Sequence, residues 1–407
     1  MAAAAAYSDR LGGAAVLVIH RGEVIFDHVA EGVPPGTPIH LHSGTKAFWG
    51  PVVVAMIDDG LIDSFDELAS ETLREWRDVP SKSEITVRHL MELNSGLSHD
   101  GRKLQGYGRP NMAEDLYAYA VTLRSLNAPG KRFSYGPGHY YPLAEVLKRK
   151  LRAHAEESGT EVPTLLEYLQ ARILDPIGVE VGPWVHDASG NSHVPNGAQL
   201  TAENWARFGW FVMHDGSWGG EQIVPADLMR ELKKPSSSNP GHGLCLWLNT
   251  PGGSTFLGRR NAEPPEETEG GLIYSRGYAD MTAALGLGKN RMYMVPGLDL
   301  VIVRQTERGG DRFDDDIFLG ILLDGEEPQE ADMATSQIRA TFDLLDKEGD
   351  QRLTIEEIPS GNRLRFPKFD SAKDGSPSYE EFISALIQRH AGEDFSGFRN
   401  RSEQLES

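Results

Sequence analysis

Two strand hairpins far apart in the chain, with a long helical stretch between them, predict an α+β protein. The early hairpin falls within residues 12–32, where Ala14-Ala15-Val16-Leu17-Val18-Ile19 and Val24-Ile25-Phe26-Asp27-His28-Val29 flank the turn Arg21-Gly22-Glu23. The late one joins Arg291-Met292-Tyr293-Met294-Val295 to Leu298-Asp299-Leu300-Val301-Ile302-Val303-Arg304 through Pro296-Gly297. From 61 to about 234 the pattern is mostly helical with long connections. The 407 residues, 39% hydrophobic and 25% charged, are material enough for two or three soluble domains.

The alanine run at residues 1–6 lacks the charged-then-apolar layout of a signal peptide. A leader missing from this chain would make the protein periplasmic or secreted. A loop at 34–38 delivers the chain to Ser43, and a helical pattern then runs from Ser43 to Asp59 and stops at Gly60. Pro51 interrupts it, which predicts a kink or a late helix start. Thr86 opens a short amphipathic helix that the breakers Asn94-Ser95-Gly96 end, and residues 100–111 read as a long surface loop. Turn-rich residues 129–139 lead into a helix over 140–151, and 201–213 form a capped amphipathic helix facing the core. Strand signals return at Gly243-Leu244-Cys245-Leu246-Trp247, a buried strand with an inert thiol. At 282–290 small residues would let a ligand approach strand backbone closely.

Composition excludes several function classes. A formal net charge of −20 argues against nucleic acid and anionic membranes as partners, because phosphate binding needs basic surface. No apolar run reaches the roughly 18 residues of a membrane span. Cys245 stands alone, so neither an internal disulfide nor a thiolate metal cluster is available.

Chemistry is concentrated at Ser43-Gly44-Thr45-Lys46. Residues three apart share a helical face, so the Lys46 amine can reach the Ser43 hydroxyl. A serine hydroxyl is a weak nucleophile until a base takes its proton, and lysine is that base only when burial or a neighbouring cation depresses its pKa. About one S-x-x-K is expected by chance in a chain of this length, so the pattern gains meaning only from its surroundings. Tyr135, on the loop before the helix over 140–151, can carry protons once nearby cations lower its pKa. His42, His99 and His139 read as structural, and no G-x-S-x-G elbow is present.

Taken in order, Ser43-Gly44-Thr45-Lys46, Asn94-Ser95-Gly96-Leu97, Tyr135-Gly136-Pro137 and Ala284-Leu285-Gly286 resemble the motifs of the serine β-lactamase / penicillin-recognising hydrolase superfamily. The likeness is to its class C-like branch of carboxylesterases and 6-aminohexanoate-oligomer hydrolases, and it covers roughly residues 12–306. It implies an antiparallel sheet flanked by helices, a helical subdomain at about 61–235, and a bacterial hydrolase domain over 1–328. It also implies Ser43 as nucleophile, Lys46 and Tyr135 as proton carriers, and an oxyanion hole at Gly286-Leu287 formed by the N–H groups of Ser43 and Leu287. No cofactor is implied for catalysis. Two departures bear on the substrate. Pro137 replaces the asparagine of the tyrosine motif, and Ala284 replaces the lysine or histidine that holds a β-lactam or peptide carboxylate. The expectation is therefore a small-molecule ester or uncharged amide, with Lys289 or Arg291 as substitute cations. Alternatives are a β-lactamase or D-Ala-D-Ala peptidase, and a non-hydrolysing penicillin-binding-like sensor or calcium-binding protein.

Residues 329–407 carry a second signal. Asp346, Glu348, Asp350 and Glu357 stand at positions 1, 3, 5 and 12 of a calcium loop, with the Arg352 carbonyl at position 7. Asp370, Asp374 and Glu381 repeat positions 1, 5 and 12, with Ser376 at position 7. The pair resembles EF-hands and implies Ca2+ in a small helical module, the first loop being the better one. Gln351, Ala372 and Pro377 depart from the pattern, and Pro377 cannot donate the bond that usually joins paired loops.

Overall fold

The early and late hairpins come together in one sheet. The computed structural model describes residues 1–104, 112–251, 272–307, 313–326, 352–354, 376–378 and 381. Its strands are β1 Ala15–His20, β2 Glu23–Val29, β3 Ile39–His40, β4 Gln199–Leu200, β5 Ser217–Trp218, β6 Glu221–Gln222, β7 Trp247–Leu248, β8 Thr282–Gly286, β9 Asn290–Val295 and β10 Leu300–Gln305. The main sheet has the order β2-β1-β10-β9-β8-β7, and every neighbouring pair is antiparallel. β1 and β10 are buried almost throughout, and each carries an apolar run, Ala15 to Ile19 and Leu300 to Val303. β2, at the edge, shows its side chains to solvent.

The helix Ala202–Met213 lays Trp205, Phe208, Phe211 and Val212 into the core and packs on β1, β9 and β10. Thr201 caps it, its hydroxyl accepting from the Asn204 N–H. Burying a large apolar side chain contributes about 2 kcal/mol, so this face alone ties the helix firmly to the sheet. The helical pattern from Ser43 to Asp59 resolves into two pieces, a 3-10 helix His42–Phe48 and an α-helix Trp49–Asp58. Pro51 lies in the first turn of the second piece, where its missing N–H costs nothing. This is the late start its position predicts.

Three sequence expectations need correction. Residues 243–246 are not strand: Cys245 is buried, but its φ of +70° puts it in a bend ahead of β7. Gly101–Leu104 is a helical turn within the stretch read as loop, and residues 105–111 lie outside the described ones. The helix expected over 140–151 continues as Tyr140–Ser158, until Gly159 stops it in a left-handed conformation.

Residues Ser8–Gly310 form one compact unit, and Met1–Tyr7 with Asp311–Ser407 form another. In the second, Tyr7 packs on Phe313 with ring centroids 5.7 Å apart, and its hydroxyl accepts from the Asp314 N–H. Further along, the Leu353 N–H donates to the Pro377 carbonyl at 2.9 Å, and Arg352 pairs with Ser378. Asp346, Glu348, Asp350, Glu357, Asp370 and Asp374 lie outside the described residues.

Candidate active site

The site begins with the short helix that carries Ser43. In a 3-10 helix, side chains three apart eclipse one another, so Ser43 and Lys46 are aligned more closely than an α-helix would align them. Lys46 Nζ lies 3.1 Å from Ser43 Oγ. Gly44 lets this helix lie flat on the neighbouring helix, since a Cβ there would stand 2.8 Å from the Trp205 ring. The loop 194–198 grips the segment from the other side. Its carbonyls accept from Trp49 Nε1 (Val194, 2.6 Å), Lys46 Nζ (Pro195, 2.9 Å), His40 Nε2 (Asn196, 2.7 Å) and the Leu41 N–H (Ala198, 2.9 Å). Thr45 Oγ1 accepts from the Ala198 N–H.

Lys46 is only 6% exposed, and this burial lowers its pKa to about 7 against the nearby Cys245 thiol, which pulls the other way. Near neutral pH a large share of the amine is unprotonated. An amine that donates to the Pro195 carbonyl can point its lone pair at the Ser43 hydroxyl. The faces of Tyr135 and Tyr140 enclose the nitrogen, 5.0 and 5.5 Å from it.

The Tyr135 ring is half-buried and leans on Trp247, with centroids 5.6 Å apart, while its hydroxyl is fully enclosed. That hydroxyl faces Ser43 without a hydrogen bond of ordinary geometry. Burial pushes its pKa up to about 12, outweighing Ser43 and the Arg291 charge, which pull it down. This reverses the expectation that neighbouring cations lower it. Lys46 sits over the ring face rather than at the oxygen, so the resting group is a phenol and not a phenolate.

The histidines hold the loop that carries Tyr135. His139 Nε2 donates to the Ser134 carbonyl at 2.7 Å, so its Nδ1 accepts from Ser95 Oγ at 2.7 Å. His99 Nδ1 accepts from the Gly138 N–H, leaving its Nε2 to donate to Ser134 Oγ at 2.8 Å. Burial keeps His139 far below its usual pKa. Ser95, from the Asn94-Ser95-Gly96-Leu97 motif, therefore acts on Tyr135 through His139 and the loop. His42, beside Ser43, has a φ of +49° and a pKa lowered by burial to about 4.

β8 closes the site. A Cβ on Gly286 would stand 2.2 Å from the Leu41 carbonyl oxygen, so only glycine lets this strand lie against the chain entering Ser43. Leu287 follows, 68% exposed. Ala284 is buried and brings no charge. Of the two substitute cations, Lys289 is partly exposed in a left-handed turn, whereas Arg291 is 1% exposed. Arg291 donates to the Gly286 and Asn290 carbonyls at 2.9 and 3.0 Å, so it is part of the core and not a solvated strand-end charge. Of the calcium-loop residues, Arg352 Nε donates to Ser376 Oγ, and Glu381 Oε2 accepts from the Ser378 N–H and hydroxyl.

Sequence reasoning missed the Pro195 carbonyl and the Ser95–His139 pair. A backbone acceptor leaves no side-chain signal, but a histidine directly before a helix of apolar and aromatic residues, as His139 is, invites the question of what it bonds.

The fold is shared with several solved structures. A candidate 6-aminohexanoate-dimer hydrolase of Bacillus anthracis superposes with a TM-score of 0.57 at 18% identity, covering 84% of this chain and 80% of that one. An octameric penicillin-binding protein homologue of Pyrococcus abyssi gives 0.58 at 16% identity, over 86% and 80%. EstCE1, a hydrolase with promiscuous acyltransferase activity, gives 0.54 at 13% identity, over 75% and 94%. The Beta-lactamase family model matches residues 2–319. Since that match takes in the whole span from Ser43 to the last strand of the sheet, the chain belongs to the β-lactamase family and has its serine hydrolase fold.

Proposed function

We propose that this protein hydrolyses a small ester or uncharged amide through an acyl-enzyme on Ser43. The observation that carries the reading is the enclosed Lys46 amine, 3.1 Å from Ser43 Oγ and tuned by burial to titrate at about 7. Ser43 attacks the carbonyl as its proton passes to Lys46, and the oxyanion gathers on the N–H groups of Ser43 and Leu287. Each such donor typically contributes about 3 kcal/mol to the transition state. The Tyr135 phenol then gives its proton to the leaving group and is recharged from Lys46. Water attacks the acyl-enzyme, the same groups take its proton, and Ser43 recovers its own as the acid departs.

The ester or uncharged-amide preference rests on position 284. An alanine stands where the family's carboxylate-binding cation would be, and the Arg291 guanidinium is engaged with backbone carbonyls. Turnover of a p-nitrophenyl acyl ester by the wild type and none by Ser43→Ala is the expected result. Full activity in the variant overturns the assignment, and turnover of nitrocefin faster than of the ester would move it to a β-lactamase.

We propose, second, that residues 329–407 form a calcium-binding, EF-hand-like module. Support comes from the bond between Leu353 and Pro377, which stand at position 8 of the two loops. Pro377 has no N–H, so the bond runs one way only. Asp346, Glu348, Asp350, Glu357 and the Arg352 carbonyl would hold the first ion, and Asp370, Asp374, Glu381 and the Ser376 carbonyl a second. Titrating calcium into the chelator-stripped full chain should release or absorb heat with one or two equivalents. A flat trace argues for a relic pair that folds without metal.

A further inference from the structure

Two arginines stand directly opposite each other in the middle of the sheet, Arg291 on β9 and Arg304 on β10, and each is at most 1% exposed. Like charges placed opposite one another disfavour strand pairing, and burying either charge costs several kcal/mol unless it is well hydrogen-bonded. What they bond is the turn between β8 and β9. Arg291 Nη1 takes the carbonyls of Gly286 and Asn290, and Arg304 Nη1 takes those of Lys289 (2.7 Å) and Gly288 (3.4 Å). Asn290 Nδ2 takes the Leu287 carbonyl at 3.0 Å and also reaches the His40 carbonyl at 3.3 Å, three residues before Ser43. All five carbonyls from Gly286 to Asn290 are thus gathered onto three side chains. Arg304 is itself anchored, donating to Ser8 Oγ and the Leu11 carbonyl.

The Gly286 carbonyl and the Leu287 N–H belong to one planar trans peptide and point in opposite directions. Holding that carbonyl on a buried cation therefore fixes the direction of the N–H. A cation on the oxygen also polarises the peptide and makes its N–H a stronger donor. We propose that Arg291 is a positioning residue for the oxyanion hole, acting on the reaction through the Gly286–Leu287 peptide, with Asn290 and Arg304 holding the rest of the turn. The cation absent from position 284 is in this sense displaced behind the strand, where it serves the oxyanion and not a substrate carboxylate. The inference rests on the hydrolase reading, because the Leu287 N–H matters only if an oxyanion forms beside Ser43.

The test is the second-order rate at which a fluorophosphonate labels Ser43 in the full chain, alongside kcat and KM for a p-nitrophenyl ester. Labelling that persists in Ser43→Ala overturns the hydrolase reading itself. If labelling requires Ser43, Arg291→Met should label about 100-fold more slowly and lose kcat in proportion, with KM within about threefold, since loss of one oxyanion donor costs about that much. Arg291→Lys keeps a charge but not the fork, and should retain part of the rate. It also serves as the test if the methionine variant does not fold. A folded Arg291 variant, by its melting curve, that labels at the wild-type rate overturns the inference, because a merely structural arginine would change the melting temperature and leave the rate per folded molecule alone.

Discussion

Lys46 shows how one residue's burial sets both reactivity and stability. In the unfolded chain it titrates near its ordinary 10.5, and in the folded protein near 7. Between those values the unfolded chain binds the extra proton, so folding stability rises with pH across that window and is lowest below it. Lys46→Met should therefore be the more stable protein at pH 7, by about 4 kcal/mol less whatever the lost bonds to Pro195 and Ser43 contribute, with a gain that shrinks as pH rises toward 10. Chemical denaturation at pH 7 and 10 measures this, and a pH-independent difference would contradict it. Activity has the same origin: ester kcat/KM in the wild type should rise through about pH 7 as Lys46 gives up its proton. The contact of Lys46 with Ser43 was legible in their spacing. Its pKa was not, because it depends on aromatic rings and a carbonyl contributed from residues 135, 140 and 195.

Among the elements, β8 shows how tightly the site is assembled. Its glycine meets the Leu41 carbonyl, so Gly286→Ala must push the strand away from the helix that carries Ser43. A loss of about 1–3 kcal/mol in stability is expected from such overpacking, with a larger proportional fall in kcat. Thermal melting and ester kinetics on the same preparation separate the two effects, and unchanged kcat would show that the strand can yield without moving the turn. The small residues at 282–290 predict close approach of a ligand to the strand backbone. What approaches is the protein's own Leu41. The 3-10 form of the Ser43 helix could not be read from the sequence, since S-x-x-K places its residues on one face in either helix type. Contact with Trp205 and the 194–198 loop selects the tighter one.

Over the whole molecule, the charge balance bears on which substrates arrive. A formal charge of −20 repels anionic molecules over about a Debye length, roughly 8 Å at physiological salt. With alanine at position 284, this field is not offset by a carboxylate-binding cation there. Raising ionic strength from about 0.02 to 0.3 M should increase kcat/KM for a carboxylate-bearing ester about threefold and leave a neutral ester unchanged. Equal salt responses for the two esters would show that the local field at the site is not negative. The sheet spans the chain from β1 to β10, and the order β2-β1-β10-β9-β8-β7 places the first hairpin beside the last strand.

Periodicity and turn residues were enough to establish the two hairpins, the helical stretch between them and the Ser43–Lys46 spacing. These are local properties, written in the continuous apolar runs of Val16 to Ile19 and of Leu300 to Val303. Tertiary structure alone decided the protonation states and the bonding of the turn between β8 and β9. Tyr135 is a phenol because its hydroxyl is enclosed, and Arg291 and Arg304 face the Gly286–Asn290 carbonyls because β9 and β10 pair in one particular register. Desolvation and the direction of a peptide group depend on what packs around them. No stretch of sequence contains its own surroundings.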